Sequence, residues 1–218
     1  INTNRKANII TIEDPIEVTH KDKRSIVSQR EVGVDTESFE AGMRSVLRQD
    51  PNVIYVGEIR NQETLEAALV AAETGHLVIS TMYTIDAVET IHRILDTFPP
   101  YLERRVRQML GTSLRGIISQ RLMPRMEGQG RVPAVELLVG TEAIRERIID
   151  PAKMSSLYET IAEGAFYGMQ TFDQAITVRY EAGEVSFSDA LMHVTSPRDF
   201  KIATGVMTAP PPAPAPSG

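Results

Sequence analysis

The sequence predicts an α/β fold: a mostly parallel sheet with flanking helices, followed by a C-terminal helical region. Three observations carry this. Short apolar runs at 9–12, 53–56 and 77–79 read as buried strands, and helical periodicity fills the stretches between them. Each run also leads directly into polar groups: Glu13 with Asp14, then Glu58, then Ser80 with Thr81. Strands alternating with helices call for crossover connections and parallel pairing. A free charge is costly inside such a sheet, so a carboxylate at a strand exit belongs in the crevice beyond the carboxyl ends, where open α/β sheets bind ligands.

Taken in order, residues 1–8 read as the tail of a helix running into the first strand, which makes an incomplete chain the expectation. Phe39, Met43, Val46 and Leu47 form one face of an amphipathic helix, with Asp35 or Thr36 as its cap and Pro51 as its stop. Leu65, Ala68, Leu69 and Ala72 form the next, and Gly75 stands where a left-handed C-terminal cap is wanted. Asp86 and Glu89 have capping-box spacing ahead of Val88, Ile91, Ile94 and Leu95. A longer helix is expected from Tyr101 to about Leu122, with Val106, Met109, Leu110, Leu114, Ile117 and Ile118 inward. Beyond the Glu127–Gly130 loop, residues 132–139 alternate as an edge strand containing Pro133. Short helices are expected over 143–149, 155–162, 171–180 and 188–192. The expected division is an α/β domain over 1–140, a helical region over 141–205 and a disordered Pro/Ala-rich tail over 206–218.

Composition narrows the chemistry. With 218 residues, 42% of them hydrophobic, the chain can bury one sizeable core. Its 23 basic against 29 acidic side chains give a charge of −6, which argues against a nucleic-acid partner. The absence of cysteine excludes disulfides, thiolate metal sites and cysteine nucleophiles. No apolar run approaches the roughly 18 to 20 residues of a membrane span.

Phosphoryl transfer from a nucleotide needs a phosphate cradle, a divalent cation and a carboxylate that orients water. Glu58 suits the last role, and Glu13 and Asp14 suit a Mg²⁺ held through its water shell. Each of these carboxylates also has a simpler reading, as a helix cap or a surface ion pair. His76 could touch a terminal phosphate, or be a plain hydrogen-bonding residue at a strand start. His20, His92 and His193 lack metal spacing. No G-x-x-x-x-G-K-[ST] cradle occurs, nor H-E-x-x-H, G-x-S-x-G or G-x-G-x-x-G.

Thr11–Glu17 resembles the Asp box of the secretion and type IV pilus motor ATPases, Asp50–Arg60 their atypical Walker B segment, and Thr74–Thr81 the opening of their His box. The resemblance extends to about Phe200 and is nearest the pilus retraction ATPases. Two features favour retraction over extension or type II secretion. The four-cysteine insertion of those relatives is missing, and Ala143-Ile144-Arg145-Glu146 resembles the retraction signature Ala-Ile-Arg-Asn, departing at Glu146. A second departure is Tyr83, where the His box normally carries a second histidine; tyrosine donates a hydrogen bond but is not cationic near neutral pH.

The resemblance implies the later part of a RecA-like P-loop NTPase domain, in a cytoplasmic ring of six lying at the inner face of the membrane. It implies ATP and Mg²⁺ as ligands, with Mg²⁺ reached through water from Glu13 and Glu58. Glu58 would be catalytic, Glu13, Asp14, His76 and Thr81 near the nucleotide, and Tyr83 and Arg60 possible sensors, Arg60 pairing with Glu13 or Glu63. The implied partner is the pilus inner-membrane platform protein, and the implied work is retraction by pilin depolymerisation. A noncatalytic accessory ring subunit, or an extension or type II secretion ATPase, stand as alternatives. Without the phosphate cradle this chain by itself is expected to be inactive.

Overall fold

The computed structural model describes residues 1–206. Within it the chain forms two compact units, residues 1–115 with 142–154, and residues 116–141 with 155–206.

The first unit is built on a four-stranded parallel sheet in the order β2-β1-β3-β4. Its strands are β1 (Asn8–Glu13), β2 (Ile26–Glu31), β3 (Val53–Val56) and β4 (Leu77–Ser80). The register sets Ile10 beside Ile54 and Ile54 beside Val78. Alternate residues on one face (Ile10, Ile12, Ile54, Val56) pack against Phe39, Met43 and Val46 of α1 (Phe39–Val46) and Ala71 of α2 (Gln62–Glu73). Burying each large side chain of this set contributes about 1.5–3 kcal/mol, so this face is a major stabilising contact of the sheet.

The helix ends follow local chemistry. Asn61 caps α2 by accepting from Thr64 N, and Gly75, with φ of 102°, ends it as its position in the sequence predicts. Asp86 caps α3 (Ala87–Asp96) by accepting from Glu89 N, and Glu89 in turn accepts from Ile85 N. For α1 the cap is Ser38, which accepts from Ala41 N, and not Asp35 or Thr36; Asp35 instead accepts from Glu31 N in the preceding turn. Two more helices complete the unit, α4 (Glu103–Ser113) and α5 (Glu142–Ile149). They approach closely at Gly111, where a Cβ would fall 2.7 Å from Ile149 Cγ1. The buried Arg107 guanidinium donates to the Ile148 carbonyl at 2.9 Å and ties them together.

In the second unit β5 (Gly116–Pro124) and β6 (Arg131–Val139) form an antiparallel hairpin. Four helices follow, α6 (Leu157–Ala162), α7 (Phe172–Glu181), α8 (Phe187–His193) and α9 (Pro197–Ala203). Met123, Val132 and Ala134 of the hairpin pack with Phe172, Ile176, Val185 and Phe200. The Arg121 guanidinium lies 3.9 Å over the Phe172 ring.

Several expectations change. Residues 1–8 contain a turn at Asn2–Asn4 and no helix. The helix expected to reach Leu122 stops at Ser113, and β5 follows. Its strand character is hidden because Ser119 and Arg121 share the inward series with Ile117 and Met123, while Ile118 and Leu122 are exposed. Strand β2 has no apolar run to announce it, being an edge strand of mostly polar residues. Helix α9 was also unanticipated, although Ser196 caps it and Pro197 opens it. The units do not divide at 140/141. The hairpin shares its core with α7 to α9, while α5 packs on α4. The tail expected over 206–218 lies, from residue 207, outside the described residues. Among the described residues no helix is long and apolar enough to cross a membrane.

Candidate functional site

Parallel pairing brings the exits of β1, β3 and β4 to one edge of the sheet. Beyond the strands, Gly57 N donates to Ile12 O at 2.8 Å, Thr81 Oγ1 to Gly57 O at 2.6 Å, and Ile59 N to Thr81 O at 3.1 Å. These bonds fix the segment that carries Glu58 between the other two exits.

Glu58 is 7% exposed. One carboxylate oxygen, Oε1, makes an ion pair with Arg60 Nη2; the other, Oε2, is buried without a hydrogen-bond partner. Arg60 Nη1 lies 3.9 Å from Asp14 Oδ2. Arg60 thus spans two acidic strand exits, and its partners are Glu58 and Asp14, not Glu13 or Glu63. Its hydrogen bond to Glu58 raises the guanidinium above its already high pKa, with smaller contributions from the charges of Glu58, Asp14 and Tyr83. Tyr83, 80% exposed, is therefore within electrostatic range of Arg60.

Glu13 ends β1 and is held from the side, accepting from Thr11 Oγ1 at 2.6 Å and Gln29 Nε2 at 2.9 Å, both on the same oxygen. Thr11 and Gln29 escaped the sequence reading, although Thr11 stands two residues before Glu13 and so on its side of the strand. The Tyr55 phenol is raised in pKa first by burial and then by the charges of Glu13 and Glu17. Farther along, Glu40 accepts from Asn61 Nδ2 and Thr64 Oγ1. Hydrogen bonds from Ser38 and then Asn61 are the largest causes lowering its pKa to about 2.

His76 does not join this cluster. It precedes β4, at the amino edge of the sheet, where its Nδ1 meets Ala71 O at 2.9 Å and Thr74 Oγ1 at 3.2 Å. The strand rise puts it about 16 Å from Thr81 along the chain. Convergence of residues 13, 14, 58 and 76 around one ligand therefore fails at 76 within a subunit. Periodicity marks a strand start; it does not bring that start to the opposite edge.

No group of three or more His, Cys, Asp or Glu able to hold a metal occurs among the described residues. A cage of direct ligands is absent there. The unpartnered Glu58 Oε2, on a carboxylate that shares Arg60 with Asp14, fits a cation that keeps much of its water shell.

Of the signature residues, Ile144 is buried in α5, Ala143 and Glu146 are exposed, and Arg145 lies 3.6 Å from Glu142. Glu146 pairs with Lys153, whose hydrogen bond lowers the Glu146 pKa. The extra negative charge at 146 is thereby matched locally.

An open parallel α/β sheet with acidic groups gathered beyond its carboxyl ends defines a ligand-binding domain of the doubly wound kind. The family model described as Type II/IV secretion system protein matches residues 1–165, and the chain belongs to that family. It is 44% identical over 200 residues to the "Type IV pilus retractation ATPase PilT" of Pseudomonas aeruginosa, covering 92% of this chain and 58% of the relative. It is 45% identical over 176 residues to a "Twitching motility protein" of Neisseria gonorrhoeae, covering 81% of this chain and 47% of the relative. Among solved structures, "Crystal Structure of the Pilus Retraction Motor PilT and Bound ADP" superimposes with a TM-score of 0.83 at 46% identity, covering 91% of this chain and 55% of that one. The chain spans about half the length of the relatives it matches.

Proposed function

We propose that the full-length protein carrying this chain is a motor ATPase subunit that couples ATP hydrolysis to type IV pilus retraction. The observation that carries the reading is Glu58: a buried carboxylate with one unpartnered oxygen, at the strand-exit edge of a chain 44% identical to a named retraction ATPase. In this reading Glu58 orients the attacking water and takes its proton. Asp14 and Glu13, with Thr81, face the Mg²⁺ nucleotide, the cation being held through water. When bound, the cation neutralises charge on the phosphates. The subunits assemble as a cytoplasmic ring of six against the membrane's inner face and act on the pilus platform protein. The signature helix α5 serves retraction apart from hydrolysis.

In the full-length protein, Glu58→Gln is expected to lower turnover by about 10²- to 10⁴-fold while ATP still binds. Near-normal turnover removes Glu58 from the role of base. A second reading, a noncatalytic accessory ring subunit, is favoured by Tyr83, which stands where the family resemblance expects a histidine. Absence of turnover in the wild-type full-length protein, with nucleotide binding retained, would select it.

A further inference from the structure

Among the described residues, Arg60 is the one cation within ion-pair distance of Glu58 and Asp14. Its side chain is 60% exposed, whereas that of Glu58 is 10% exposed. The asymmetry has a thermodynamic consequence. An exposed guanidinium returns to water at little cost. A buried carboxylate stripped of its counter-charge is expensive. Glu58 therefore needs a positive partner at all times, and that partner need not be Arg60.

We propose that Arg60 is a displaceable counter-ion and positioning residue: it holds Glu58 and Asp14 until the nucleotide's divalent cation arrives, and the two cations then compete for these carboxylates. The two cations draw on the same acceptors: Arg60 already pairs with Glu58 and reaches Asp14, so a divalent cation using these carboxylates weakens the hold on the guanidinium. Glu58 Oε2, which Arg60 leaves unsatisfied, is the acceptor a hydrated cation can use. Loading the site thereby frees an arginine, so cation binding is linked to Arg60 release. This inference rests on the proposed function, which puts a cation and nucleotide at this edge.

The test is Mn²⁺ affinity of the full-length protein with saturating ADP, read from the paramagnetic resonance of free Mn²⁺. Arg60→Gln is expected to bind Mn²⁺ about five-fold or more tightly than wild type, since the competitor is gone. Arg60→Lys, which keeps the charge but loses the planar fork, is expected to fall between them. In a Glu58→Gln background the gain from Arg60→Gln should shrink below about two-fold. Equal affinity in wild type and Arg60→Gln, weaker binding in the variant, or a gain that survives Glu58→Gln would each overturn the proposal. Should Arg60→Gln fail to fold, Arg60→Lys with and without Glu58→Gln carries the same cycle. Turnover of Glu58→Gln judges the base assignment separately, because the Mn²⁺ measurement reads binding and not hydrolysis.

Discussion

The two edges of the parallel sheet carry similar residue types to different ends. At the carboxyl edge Arg60 pairs with Glu58 and reaches Asp14, and one buried acceptor is left open. At the amino edge the polar groups close on themselves. Asn8 Nδ2 donates to Gln49 O at 2.9 Å, Asn52 Oδ1 accepts from Asn8 N at 2.8 Å, and His76 caps the α2 terminus. A satisfied polar network stabilises and specifies the fold; an unsatisfied buried oxygen marks a place where something else must bind.

Substitutions at the two edges should therefore differ in kind. The largest effect expected is the loss of turnover in Glu58→Gln described above, with little change in melting temperature. Next comes the core that holds both edges in place. Ile54→Ala, at a fully buried centre of β3, should destabilise by about 2–5 kcal/mol in denaturant unfolding. A loss below about 1 kcal/mol would show that the helix-covered face is not a major support of the sheet. At the amino edge, His76→Ala should cost about 0.5–1.5 kcal/mol of stability through the bond to Ala71 O, while turnover of the full-length protein stays within about three-fold of wild type. A large drop in turnover with stability intact would return His76 to the site, through a neighbouring subunit.

The smallest effect concerns acid stability. The Glu40 pKa is depressed from 4.5 to about 2, so its contribution is fully present above 4.5 and is lost as pH falls through about 2. Glu40→Gln should flatten that limb of the stability profile between those values. An unchanged limb would mean that Ser38, Asn61 and Thr64 do not hold this carboxylate in solution.

How much of this was legible beforehand differs from element to element. Strands β1, β3 and β4 were visible because buried parallel strands read as short apolar runs, and their polar exits were visible with them. Strand β2 was invisible for the complementary reason: half exposed at an edge, it is set by main-chain pairing with β1, which leaves no mark on side-chain hydropathy. In β5 the inward Arg121 covers Phe172 with its planar guanidinium, so a charged residue occupies what periodicity treats as a surface position. The partners of Arg60 are not legible in the sequence for a related reason. Two residues from Glu58 and one strand away from Asp14, Arg60 could have turned to Glu63 on α2, and only the fold selects among nearby acids.

The sequence by itself determined the fold class, the acidic strand exits, most of the helices and the caps at Gly75 and Asp86, because hydrophobic periodicity and capping are local and act over a few residues. Tertiary structure alone decided which edge each polar group occupies, that His76 stands apart from Glu58, that Arg60 bridges Glu58 and Asp14, and that one oxygen of Glu58 is left without a partner. Those outcomes depend on strand order and parallel direction, which arise from the packing of residues distant in the chain and have no local signature.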